Sequence, residues 1–216
     1  MHQFLALLKK EFLLEWRQKH TFFGALLYIG CTVFVIYLMA QQPEPKIWNA
    51  LFWISQLFIT VNTVSKSFLQ ETVEKNRYYY SIVSPLQFIA SKLVYSSVLM
   101  LIMSLITVFL FSGLMEIEMR SAAKFVAVTI LGAQGFALLF TFLSAIAAQA
   151  RQNAALMAIL GFPLSIPLLL ILEKLSIATI SPIFQEGWGF LVLYMVVMNV
   201  VLIGISLVLF PFLWKE

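Results

Sequence analysis

The chain of 216 residues holds a single cysteine and two histidines, and only 11% of it is charged. Each shortage removes a class of function. With Cys31 alone, no intrachain disulfide can form and the redox compartment is not written in the sequence. His2 and His20 both sit near the N-terminus, so no spaced set of histidine and cysteine ligands exists for a metal. There is no H-E-x-x-H, no G-x-S-x-G and no Walker A loop. A soluble domain is about half apolar and about a quarter charged; at 62% hydrophobic this chain is too apolar to be one. The net charge of +4 is modest, without the dense basic patch and interleaved aromatics that a nucleic-acid partner requires.

What the sequence does hold is apolar runs. About 20 apolar residues cross a hydrocarbon core of roughly 30 Å. Six runs of that order are present, at residues 21–40, 47–65, 91–112, 122–148, 154–172 and 188–213. They predict an all-α integral membrane protein with six transmembrane helices. With short loops they use nearly the whole length, so residues 1–216 are expected to form one transmembrane domain. The first run is too long for a signal-peptide core and is expected to act as an uncleaved anchor. The nine methionines read as packing, and Cys31 as a small buried hydrophobe.

Ahead of the first span, Leu5, Leu8, Phe12 and Trp16 recur at helical spacing among Lys9, Lys10, Glu11, Glu15 and Arg17. This predicts an interfacial helix lying along the membrane surface. Lysine and arginine are unevenly shared between the two sides. Ten lie with the N-terminus, the 2–3 connection (Lys66, Lys75, Arg77, Lys92), Arg151 and Lys215; four lie opposite, at Lys46, Arg120, Lys124 and Lys174. Basic loops stay cytoplasmic, so both termini and the 2–3 connection are expected in the cytoplasm.

That connection, residues 67–84, is the one long polar stretch between spans. On a helical wheel Phe68, Leu69, Val73, Tyr79, Tyr80 and Val83 fall within an arc of about 140°. Gln70, Glu71, Glu74, Lys75, Arg77 and Ser81 fill the other side. Glu71 and Lys75 stand at i, i+4 in the favourable order. The pattern predicts an amphipathic cytoplasmic helix, ended by Pro85.

Span 5 carries Gly161, Pro163 and Pro167 in one run, ILGFPLSIPLLL. Each proline removes a backbone donor. The run predicts a helix break, which is either a flexing point or a kink held by packing. The small residues of SAIAAQA at 144–150, with Gly132 and Gly135, allow close helix approach and offer a contact with a second copy of the chain. The stretch 173–189 is too apolar for a solvated loop and reads as a short helix on the outer surface.

Inside the spans the strongly polar groups are Gln56, Asn62, Gln134 and Asn199. Ion-coupled transporters need ionisable groups at membrane depth. Energy for work is therefore expected from another chain, entering at the cytoplasmic helix.

The order of these elements resembles the permeases of type-2 ABC exporters, and most closely the heme exporter protein B (CcmB) family. The resemblance rests on KKEFLLEWRQK (9–19), FLQETVEKNRYYYSIVSPLQFIASK (68–92) and the two-proline run RQNAALMAILGFPLSIPLLL (151–170), and it covers nearly the whole chain. It implies a non-catalytic permease subunit in the bacterial inner membrane, working in cytochrome c biogenesis. The implied partners are a separate ABC ATPase (CcmA-like), a haem-handling membrane protein (CcmC-like) and a periplasmic haem chaperone (CcmE-like). ATP-Mg would sit on the ATPase; haem would be handled by the complex and not bound directly by this chain. The 67–84 helix would then be a coupling helix, with Glu71, Glu74 and Arg77 making polar contacts and Phe68 and Tyr79 anchoring it. A permease for a lipid, glycan or drug remains an alternative, as does a non-transporting membrane scaffold.

Overall fold

The computed structural model describes residues 2–17, 19–40, 42–69, 83–115, 120–149, 154–180 and 187–213. All regular structure among them is helical. The elements are α1 (His2–Arg17), α2 (Lys19–Ala40), α3 (Pro45–Leu69), α4 (Pro85–Leu114), α5 (Ala122–Gln149), α6 (Ala154–Ile180) and α7 (Trp188–Leu213). Six of these, α2 to α7, are long and apolar enough to cross a membrane.

Successive spans alternate in direction. At the end of the bundle that carries α1, Phe88 of α4 stacks on Phe210 of α7 with ring centroids 6.0 Å apart. At the far end, Trp48 of α3 meets Phe111 of α4 and Phe125 of α5, and Ser121 N–H donates to the Thr179 carbonyl. Helix α5 is the hub and packs against α3, α4, α6 and α7. Helix α7 lies at the rim and buries only Met195, Asn199, Ser206 and Phe210.

Glycine makes the closest approaches possible. A Cβ added at Gly132 would lie 2.6 Å from the Trp53 ring, and one at Gly161 would lie 2.5 Å from Phe140 Cε1. Gly161 thus seats an aromatic ring of α5 against α6. Helix α6 stays helical through Pro163 and Pro167. The rings remove the donors that would bond the carbonyls of Ile159 and Pro163, while Ser165 Oγ donates to the Phe162 carbonyl at 2.8 Å.

Four expectations need correction. Span 3 begins not at residue 91 but at Pro85, which opens α4 at its first turn after Ser84 in an extended conformation, where proline's missing N–H costs nothing; the helix that Pro85 was expected to end lies outside the described residues. Residues 173–180 are not a separate surface helix, because they continue α6. Cys31 is exposed: α2 packs through Ala25, Ile29 and Val33 at i, i+4, i+8, which turns position 31 outward. The small residues ending α5 do not present a face to a second copy, since Ser144, Ala145 and Ala147 are buried within the chain, Ala145 with Phe88, Ile89, Leu93 and Phe210.

Candidate functional site

Of the residues expected in the coupling helix, Glu71, Glu74, Arg77 and Tyr79 lie outside the described residues. Phe68 falls in the last turn of α3. The structure describes the frame on either side of that connection, the end of α3 and the start of α4, and the helix packed on α4 there.

That helix is α1. Because α4 begins at Pro85, Lys92 lies two turns inside a helix and not in a loop. Its Nζ donates to Glu11 Oε2 at 2.9 Å, with the two side chains 1% and 7% exposed. One turn on, Tyr95 Oη donates to Glu15 Oε2 at 2.7 Å. Phe12 meets the Tyr95 ring edge-on, with centroids 5.5 Å apart. Lys10 approaches the outer oxygen of Glu11 at 3.2 Å, and Lys92 also sits 5.8 Å over the Phe88 ring. Glu11 and Glu15 stand at i, i+4 on α1, and Lys92 and Tyr95 at i, i+3 on α4. Each pair therefore shares one helix face, and the two faces match. A buried charge survives only when paired, so this contact fixes α1 against the helix that leaves the 70–82 connection.

A second polar knot lies at the far end. Asn49 Nδ2 donates to the Glu173 carbonyl at 3.0 Å. Ser176 Oγ donates to Asn49 Oδ1 and accepts from Trp53 Nε1, each at 2.7 Å. Trp53 and Trp48 belong to an aromatic stack with Phe52, Phe111, Phe125 and Phe136. The knot joins α3 to the part of α6 that extends past the expected span. Beside it a cavity of about 570 Å³ is lined by Arg120, Lys124, Thr179 and Trp188, with Lys124 5.5 Å over the Trp188 ring.

The polar residues read inside the spans are placed as follows. Gln56 is buried and accepts from Ser104 Oγ at 2.9 Å; its Nε2 has no partner among the described residues. Gln134 Nε2 donates to the Ser97 carbonyl at 3.2 Å. Asn199 Nδ2 donates to the Leu131 carbonyl at 3.2 Å. Asn62 Nδ2 donates within its own helix, to the Phe58 carbonyl. Gln56, Gln134 and Asn199 thus act as helix-to-helix ties, each worth about 0.6–2 kcal/mol in a membrane.

Sequence reasoning missed both knots. Lys92, at the edge of a span read from residue 91, was counted with the charges of the 2–3 connection, and Asn49 stood too near the start of span 2 to count as interior. Among the described residues no group of three or more histidine, cysteine, aspartate or glutamate side chains gathers at a metal-binding distance.

The sequence matches the family described as CcmB protein over residues 2–212. No curated protein matches it. A match spanning nearly every residue, over a bundle of six apolar helices, has one meaning: this chain belongs to the CcmB family, multi-pass membrane permease subunits of cytochrome c-type biogenesis and haem transport.

Proposed function

We propose that residues 1–216 form a single ABC-2-type transmembrane domain, the non-catalytic permease half of an ABC complex in the bacterial inner membrane. Both termini and the 67–84 connection face the cytoplasm, and α1 lies along that surface. A separate CcmA-like ATPase binds ATP-Mg and docks on the 67–84 coupling helix. Glu71, Glu74 and Arg77 supply polar contacts there, and Phe68 and Tyr79 anchor it. Closure of the ATPase pair moves that helix, and with it the end of α3 and the start of α4. A CcmC-like haem-handling protein and a CcmE-like chaperone complete the complex, whose work is the ATP-driven release of the haem-loaded chaperone. Haem is handled by the complex, and no cofactor is assigned to this chain. A second copy of the chain and the surrounding lipids are further partners.

The observation that carries this reading is the family match over residues 2–212. The buried Glu11–Lys92 pair supports it, because it ties α1 to the first turns of α4, so that a push on the connection reaches both helices. The Pro163 and Pro167 run of α6 lacks two backbone donors, and we assign it the part of a flexing point in that cycle.

The test is deletion of the gene, with membranes stained for covalently bound haem. Complementation uses the wild type and Glu71→Ala/Glu74→Ala. Loss of c-type cytochromes, restored by the wild type and not by the double variant, is the expected result. Normal c-type cytochromes in the deletion would point to a permease for a lipid, glycan or drug. Function unchanged by an ATPase-dead partner would point to a scaffold.

A further inference from the structure

A cavity of about 420 Å³ lies in the elbow between α1, α2 and α4. Its walls are apolar, including Trp16 of α1, Phe23 of α2, and Leu99 and Ile102 of α4, and two charged residues line it, Glu15 and Lys19. That volume is within the range of small-ligand sites, about 300–1,000 Å³. Its depth in the membrane follows from α2, whose apolar span begins at Phe22. Lys19 stands three residues before that start, at headgroup level, while the lining from Phe23, Leu99 and Ile102 faces the acyl region.

The charges narrow the occupant. Glu15 binds the Tyr95 hydroxyl through Oε2. Its other oxygen, and the Lys19 ammonium, have no partner among the described residues. The two do not pair with each other, although both line the same cavity. A ligand that satisfies them carries an anion, a cation with N–H donors and an apolar tail. An anionic lipid would meet Lys19 and be repelled by Glu15. A choline lipid has the cation but no N–H to donate. We propose that this elbow is a specific site for one aminophospholipid. Its phosphate accepts from Lys19 Nζ, its primary ammonium donates to Glu15 Oε1, and one acyl chain lies along Leu99 and Ile102. The inference needs only that the chain sits in a bilayer, so it stands apart from the coupling reading.

The experiment uses the full chain, delipidated in mild detergent and then offered an equimolar mixture of dioleoyl phosphatidylethanolamine, phosphatidylcholine and phosphatidylglycerol. Bound lipid is counted by native mass spectrometry. One retained ethanolamine lipid per chain is expected, enriched about tenfold over each competitor, the effect of one good hydrogen bond to a charged group. Glu15→Gln should lose that enrichment, because the ammonium then meets no carboxylate, whereas Lys19→Ala should lower retention of all three lipids without a change in thermal midpoint, because Lys19 touches no described partner. Leu99→Trp, which fills the apolar half, should lose the bound lipid altogether. Equal retention of the three lipids, or an unchanged profile in Glu15→Gln, would reduce the cavity to ordinary boundary lipid and overturn the proposal. Enrichment of phosphatidylglycerol would overturn it as well, by removing the role of Glu15.

Discussion

Lys92 and Glu11 stand 81 residues apart in the chain and close a 2.9 Å ion pair at the join of α1 and α4. Both are buried, so neither charge has water to fall back on. Removal of Lys92 leaves the buried Glu11 carboxylate with Lys10 alone, a partner nearer the surface, which costs more than the pair contributes when intact.

Lys92→Met is therefore expected to destabilise the chain by about 3–5 kcal/mol. The double variant Glu11→Leu/Lys92→Met should recover most of that loss. Thermal midpoints of the detergent-solubilised protein check both; a double variant no better than the single would show that the loss is one of packing and not of charge.

Gly132→Ala is expected to cost about 1–3 kcal/mol through overpacking. Its Cβ would press on the ring of Trp53, which is held by its bond to Ser176 and cannot give way. Gly30→Ala, at a position with nothing within 4 Å, should be neutral or slightly stabilising. Equal effects at the two sites would mean that the α3–α5 contact is looser than described.

Ser176→Ala would orphan both Trp53 Nε1 and Asn49 Oδ1 at once. Each buried unsatisfied group costs about 1–3 kcal/mol. Adding Asn49→Leu should return part of the loss, measured as the midpoint of chemical unfolding.

Glu71→Ala/Glu74→Ala should weaken capture of the purified ATPase by about 1–3 kcal/mol, roughly 5- to 150-fold in Kd. Bundle stability should stay as in the wild type, because the buried pairs of α1, α3, α4 and α6 are untouched. Undiminished capture would remove the coupling assignment.

Pro163→Leu/Pro167→Leu restores two backbone donors to α6. If the run flexes in the cycle, the variant keeps or gains thermal stability and loses c-type cytochrome formation. Full activity would make it a static feature of packing.

The number of spans was readable because membrane helices must satisfy their own backbone and so announce themselves as long apolar runs. Their ends were less so. Pro85 is a stop signal to the segment before it and a start signal to the helix after it, and the sequence does not say which helix owns it. Lys92, counted with the charges of the connection, lies inside α4, which begins seven residues before it. Partners across the bundle were unreadable for a different reason. Helical spacing places Glu11 and Glu15 on one face, and Lys92 and Tyr95 on another, but no periodicity within either segment states that the two faces meet. Cys31 shows the same limit: α2 is apolar on every side, so no hydrophobic stripe distinguishes the side facing protein from the side facing away.

The far knot also sets an order of events as the chain is made. Asn49 and Trp53 enter the bilayer with α3, yet their partner Ser176 lies on α6, 127 and 123 residues further along. Until α6 arrives, the amide of Asn49 and the indole N–H of Trp53 have no side-chain mate. A chain halted after α5 would thus carry unmet polar groups in the membrane, recognisable as unfinished, and the arrival of Ser176 is the step that closes it.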